Sequence, residues 1–265
     1  MNEFITAILL GIVEGVTEFL PVSSTGHLVL ATEILGFRAE DWALFNIAIQ
    51  PGAIMAIVVL YWRTFLAVGR GLLTWEPGAV AFVRNLLLAF IPAVVLGLLF
   101  DDQIEALLEN ATVVAWALIV GGVAILIVER LAKTENVLGI AGVTFGQSVK
   151  IGLVQCLAMV PGVSRSGATI MGAMALGIDR RTAADFSFFL ALPTLTGATV
   201  LQLFKHRDEI TPAALQLIGV GALVSFVVAL IVVKAFMAVV TRHGFAPFAW
   251  YRIAAGTAAL VLIKG

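Results

Sequence analysis

Residues 14–27 read Glu-Gly-Val-Thr-Glu-Phe-Leu-Pro-Val-Ser-Ser-Thr-Gly-His, which gathers two carboxylates, a run of hydroxyls and an imidazole within a chain that is otherwise mostly hydrocarbon. Polar groups are costly to bury in apolar surroundings, so a cluster of this kind marks function before stability. Glu14 and Glu18 are four residues apart and share one face of a helix. Two like charges there destabilise the helix unless a cation or a shared proton lies between them. Hard oxygen donors suit Mg²⁺ or Ca²⁺, and the alternative is a hydrogen-bonded pair that braces the hairpin. Pro21 stops the helix. Ser23, Ser24, Thr25 and Gly26 then form a loop of small residues that can present backbone N–H groups beside hydroxyls, the chemistry of a phosphate cradle. His27 closes the run as a candidate general acid or base.

A related loop occurs at residues 161–169, Pro-Gly-Val-Ser-Arg-Ser-Gly-Ala-Thr. Arg165, the side chain best shaped to fork two phosphate oxygens, stands between Ser164 and Ser166, with Thr169 one turn on. Its alternative partner is a salt bridge to Glu14 or Glu18. Ser24, Ser164 and Ser166 are each candidate nucleophiles, although hydroxyls more often bond phosphate oxygens or the backbone. Together the two loops read as one centre for a phosphorylated group.

The elements that position these loops must lie in a membrane. Of the 265 residues 61% are hydrophobic and 12% charged, and the mean hydropathy is +1.06, far from the ~45–50% apolar content of soluble domains. The expected fold is all-α, with no alternating strand pattern of a membrane barrel. Six apolar runs reach spanning length, at 42–62, 80–100, 112–128, 185–204, 212–233 and 248–263. Four segments are too short or too polar to span: 4–20, 28–35, 145–160 and 168–178. In pairs, each around one polar loop, they read as two re-entrant hairpins.

The chain also matches itself at a shift of 141: Gly11 falls on Gly152, Val22 on Val163, Ser23 on Ser164, Gly26 on Gly167, Gly36 on Gly177 and Phe45 on Phe186. The same shift sets Glu14 on Gln155 and Ser24 on Arg165, so the halves, about 1–135 and 140–265 of a single membrane domain, share a scaffold and differ in chemistry. Three spans separate the hairpins, and an odd number inverts the second copy. An inverted-topology repeat brings both loop tips together near the midplane. Arg63, Arg70, Arg130, Lys133, Arg180, Arg181, Lys234 and Arg242 fall on one side, against Arg38, Lys205, Arg207 and Lys264 on the other. The positive-inside rule then makes the first side cytoplasmic, so the first hairpin opens outward with both termini outside.

The remaining polar residues are read more plainly. Cys156 stands alone among apolar neighbours as a packing residue. His206 and His243 fall in solvated connections, and Asp101, Asp102, Glu105 and Glu109 form an acidic loop. Pro51 and Pro193 mark breaks or kinks beside the cavity. Trp42, Trp62, Trp250 and Tyr251 lie near span ends as interfacial anchors. A net charge of −1 without a basic stripe gives no reason to expect a nucleic-acid partner. The N-terminus has no basic region ahead of its apolar run, so no cleaved signal peptide is expected.

Glu14-x-x-x-Glu18, the Pro-Val-Ser-Ser-Thr-Gly-His run that ends at His27, and the 161–169 loop closely resemble the signature motifs of the bacterial undecaprenyl-diphosphate phosphatase family, also called bacitracin resistance protein. The resemblance extends over essentially the whole chain. It implies an integral membrane enzyme that converts undecaprenyl diphosphate to undecaprenyl phosphate, with a divalent metal requirement and an outward-facing active site in the bacterial plasma membrane. It assigns functional roles to Glu14, Glu18, Ser24 and His27 in the first motif, and to Ser164, Arg165 and Thr169 in the second. Joined to the residue chemistry, the expectation is that Arg165, Ser164, Ser166, Ser23 and Thr25 hold the diphosphate beside a cation at Glu14 and Glu18. Ser24 attacks phosphorus or positions a water, with His27 moving the proton. A transporter or polyprenyl-phosphate flippase is the rival, since inverted repeats and broken helices also build transporters. Expected partners are the lipid substrate and membrane lipids, with a homodimer left open.

Overall fold

A computed structural model of the chain describes residues 2–38, 40–100, 103, 104, 107, 111–132 and 139–264. The acidic loop of Asp101, Asp102, Glu105 and Glu109, and Lys133, lie outside the described residues. The described chain is helical: α1 Glu3–Thr17, α2 Ser24–Ile34, α3 Ala43–Ala48, α4 Gln50–Leu60, α5 Trp62–Leu73, α6 Pro77–Leu99, α7 Ala111–Leu131, α8 Phe145–Gln155, α9 Arg165–Ala175, α10 Arg180–Lys205, α11 Pro212–His243 and α12 Ala246–Lys264.

Local chemistry sets these bounds. Asn2, Asp179 and Thr211 cap α1, α10 and α11 by accepting backbone N–H groups, and Thr144 with Gln147 forms a capping box on α8. The expected span at 42–62 is divided at Ile49, because Pro51 has no N–H for the preceding turn and Gly52 bonds back to the Ile49 carbonyl at 3.0 Å. Pro193 is carried inside the continuous α10. The helix α5 was not expected; its apolar positions are interleaved with Arg63 and Arg70 in what reads from sequence as a connection.

Among the described residues, five helical segments can cross a membrane by length and composition: Ala43–Leu60, Pro77–Leu99, Ala111–Leu131, Arg180–Lys205 and Pro212–His243. The sixth expected span falls on α12, whose apolar stretch Ala246–Leu262 is a shorter one. At 1.5 Å per residue that stretch is about 25 Å long, under the ~30 Å of a bilayer core. Exposed Trp116, Val120, Val200, Leu223 and Ile231 form an apolar outer surface of the kind that faces lipid.

The shift of 141 is visible in the helices themselves. It carries α2 onto α9 at both ends, and the cap residues Ser23 and Ser164 share an unusual positive φ of 73° and 76°. Beyond them Gly36 and Gly177 take φ of 83° and 82°, and Phe37 N–H to Thr32 O at 3.1 Å is matched by Ile178 N–H to Ala173 O at 3.2 Å. Packing follows the same correspondence: α1 crosses α11 with Gly11 against the Gly221 backbone, and α8 crosses α6 with Gly152 against Ala89. Trp42 is a correction to its reading as an anchor. It is buried at 7% exposure, edge-on to Phe45 with 4.9 Å between ring centroids, because the short α3 folds it inward.

Candidate active site

The two hairpin turns meet at the centre of the molecule. Between α1 and α2 the chain turns through residues 18–23, and between α8 and α9 a 3₁₀ turn, Cys156–Met159, leads into residues 160–164. Ser166 at the start of α9 donates its hydroxyl to Leu20 O in the first turn at 2.7 Å and bonds Ser164 Oγ at 3.1 Å. Each turn ends on a serine held in a sparsely populated backbone region, at a cost of about 1–3 kcal/mol for such a residue. Each serine in turn accepts the N–H three residues on: Gly26 to Ser23 Oγ at 3.3 Å and Gly167 to Ser164 Oγ at 3.1 Å. The strain aims the next residue, Ser24 in one half and Arg165 in the other, at the space between the turns.

Three of the expected residues form one hydrogen-bonded chain. Ser24 donates its hydroxyl to Glu18 Oε2 at 2.5 Å, and Arg165 Nη2 donates to Glu18 Oε1 at 2.8 Å. The ion pair is largely buried, with side chains 10% and 4% exposed. Arg165 Nη1 also donates to the Ser187 carbonyl at 2.9 Å and hydroxyl at 3.3 Å, its carbon lies 5.9 Å from the Phe19 ring centroid, and among the described residues its Nε has no partner. Thr169 bonds Ser187 Oγ at 2.6 Å and donates to Arg165 O at 2.9 Å, so it braces the arginine.

A cavity of about 500 Å³ opens on this chain, and its lining includes the polar Glu18, Ser23, Ser24, Thr25, Ser164 and Arg165 and the apolar Phe90, Val94, Leu98 and Leu195. It extends to the C-terminal ends of α6 and α10, where Gly97, Leu98, Leu201 and Gln202 line it. Toward the N-terminal half of α10 aromatic rings pack on one another, Phe19 on Phe188 at 5.4 Å, Phe188 on Phe236 at 5.9 Å and Tyr61 on Phe189 at 5.0 Å. Tyr61 there donates to Asp185 at 2.5 Å. A polar head and a long apolar group could lie in such a cavity together.

Other expected residues are not in its lining. Glu14 is wholly buried, and among the described residues neither carboxylate oxygen has a hydrogen-bond partner. His27 does not line the cavity: Nδ1 contacts Ser23 O at 2.8 Å and Nε2 shares a hydrogen bond with Tyr251 OH at 2.7 Å, the rings stacked at 5.5 Å. Both ring nitrogens are engaged away from Ser24. Ser166 and Thr169 likewise act on the turns and on Arg165, outside the lining. Sequence reasoning missed Ser187, Gln155 and Arg252. A hydroxyl inside an expected span was the only trace of Ser187. Gln155, which lines the cavity, had its trace in its pairing with Glu14 under the shift.

The model of the family described as bacitracin resistance protein BacA matches residues 7–258. An undecaprenyl-diphosphatase of Novosphingobium aromaticivorans is 61% identical over 264 residues, covering 98% of each chain. One of Sphingopyxis alaskensis is 56% identical, again over 98% of both. A protein of Paramagnetospirillum magneticum named undecaprenyl-diphosphatase 2 is 48% identical over 97% of this chain and 98% of its own. The residues of the two loops, their meeting and this likeness along the full length agree: the chain belongs to the BacA bacitracin resistance protein family.

Proposed function

We propose that this chain is a membrane phosphatase that hydrolyses undecaprenyl diphosphate to undecaprenyl phosphate and inorganic phosphate, the activity for which its relatives are named. The observation that carries the reading is the Arg165–Glu18–Ser24 chain in the lining of a cavity that also holds many apolar side chains. Ser24 gives its proton to Glu18 as its Oγ forms a bond to the terminal phosphorus, and the bond from that phosphorus to the bridging oxygen breaks. Undecaprenyl phosphate leaves, and water then releases phosphate from the serine. A water held by Ser24 and deprotonated by Glu18 gives the same products in one step. Arg165 can open toward the diphosphate, where its fork and the Ser23, Thr25 and Ser164 hydroxyls hold phosphoryl oxygens as charge builds. His27 braces the Ser23 carbonyl, and the proton of Ser24 passes to Glu18 in its place.

A divalent cation fits the donors present. The two partnerless oxygens of Glu14, one helical turn from Glu18, are hard ligands suited to Mg²⁺ or Ca²⁺. Among the described residues no group of three or more His, Cys, Asp or Glu is gathered, so substrate oxygens and water would complete the shell. When bound, the cation supplies neutralisation of diphosphate charge.

The halves are copies of opposite orientation, the hairpins re-enter the membrane, and the cavity opens on the outer face of the bacterial inner membrane. Support comes from the matched hairpins and from the basic residues Arg63, Arg70, Arg180, Arg181 and Arg242, which the alternation of spans puts on one side. Recycling the lipid carrier from that face accounts for bacitracin resistance. The test is phosphate release by the purified chain given a polyprenyl diphosphate. Release that is lost in Ser24→Ala supports the phosphatase. Lipid movement between leaflets without release supports the flippase instead.

A further inference from the structure

We infer that Arg252 is the positioning residue of the active centre, a clamp that holds both hairpin turns in register from behind. It projects from α12, which the sequence reading treated as a plain apolar span, and it is 1% exposed. All five guanidinium N–H donors have a backbone carbonyl to meet. Nη1 donates to Pro21 O and Val163 O, both at 2.9 Å. Nη2 donates to Gly162 O at 2.8 Å and Ala117 O at 3.1 Å, and Nε to Leu118 O at 3.2 Å. Pro21 and Gly162 are equivalent under the shift of 141, so one planar group takes matching carbonyls from the two turns.

The approach is prepared by α7. A Cβ on Gly121 would come within 2.0 Å of Arg252 Nη2, so only glycine lets the guanidinium reach the helix backbone there. Among the described residues no carboxylate pairs with Arg252, and its charge is met by carbonyl dipoles alone. The carbonyls it fixes stand within three residues of Ser24 on one side and of Arg165 on the other. A guanidinium whose donors are all spent on backbone cannot also bind phosphate. Its work is to fix where Ser24 and Glu18 stand relative to Arg165, on which a reaction step depends more steeply than binding does.

The inference rests on the phosphatase reading, and two variants of the full-length chain in detergent test it. R252K keeps the charge and loses the fork. Gly121→Ala keeps the arginine and displaces it by one methyl. In both, kcat for phosphate release from a polyprenyl diphosphate falls at least tenfold while KM stays within about threefold, since the groups that touch the diphosphate remain. Gly121→Ala alone decides if R252K does not accumulate folded. Folded variants with kcat within twofold of wild type overturn the clamp, as does a rise in KM at unchanged kcat, which would mark Arg252 as a substrate contact. Should the wild-type chain release no phosphate, the phosphatase reading fails by itself. Maleimide labelling of Thr25→Cys in a Cys156→Ala background then judges the clamp without catalysis: a severalfold faster rate in the variant supports it, and an unchanged rate overturns it.

Discussion

At the scale of single residues the centre is an ion pair doing two jobs. Glu18 holds Arg165 with one oxygen and the Ser24 hydroxyl with the other. Breaking a buried pair strands one charge, which costs about 3–5 kcal/mol. Glu18→Gln should therefore lower the melting temperature as well as cut kcat/KM by roughly 100-fold, on the scale of a lost general base, whereas Ser24→Ala, which leaves the pair intact, should abolish turnover at nearly unchanged stability. Thermal melts of both purified variants beside phosphate assays check this, and an equally unstable Ser24→Ala would contradict it. Arg165→Lys keeps a charge but not the planar fork, and should lose at least ~100-fold in kcat/KM on the scale of one lost stabilising donor. Near-full activity would show that charge alone suffices. Incubation with substrate labelled at the terminal phosphate separates the two routes for Ser24: label retained on protein, and lost in Ser24→Ala, marks the covalent one.

At the scale of elements the two hairpin turns carry stored strain. Ser23 sits at φ 73° and also caps α2. Ser23→Ala loses the cap and keeps the strain, while Ser23→Gly loses the cap and relieves the strain. Glycine should thus be the more stable variant by about 1 kcal/mol, measured by melting. The reverse order would mean the serine is held there without strain. Much of this scale was legible in sequence. Proline, glycine and serine interrupt apolar runs at the places where the turns form, and the shift of 141 predicted that α2 and α9 would match. Beyond the Arg165–Glu18 pair, which the repeat made legible, residues whose role depends on a partner far along the chain were not. Arg252 looks like a lone charge in an apolar run until Pro21 and Gly162 lie beside it. His27 looks like a base until Tyr251 takes its second nitrogen. Trp42 looks like an anchor until α3 turns it inward, and α5 hides in a connection because its interleaved arginines mask the apolar face.

At the scale of the whole molecule the cavity reaches the C-terminal ends of α6 and α10, while aromatic rings pack on one another toward the N-terminal half of α10. A phosphatase needs access from one face only, whereas a transporter must break the Phe19, Phe188 and Phe236 packing in each cycle. In intact cells, Thr25→Cys in a Cys156→Ala background should react with a membrane-impermeant maleimide added outside, and Tyr61→Cys should not. Labelling at both positions would point to alternating access. The central claim, that two loops distant in sequence make one catalytic centre, is tested most directly by a double-mutant cycle on Glu18→Gln and Arg165→Lys, read as kcat/KM for phosphate release. The account predicts that the double variant is little worse than either single one, with a coupling of at least about tenfold, or ~1.4 kcal/mol. Losses that simply multiply would contradict it.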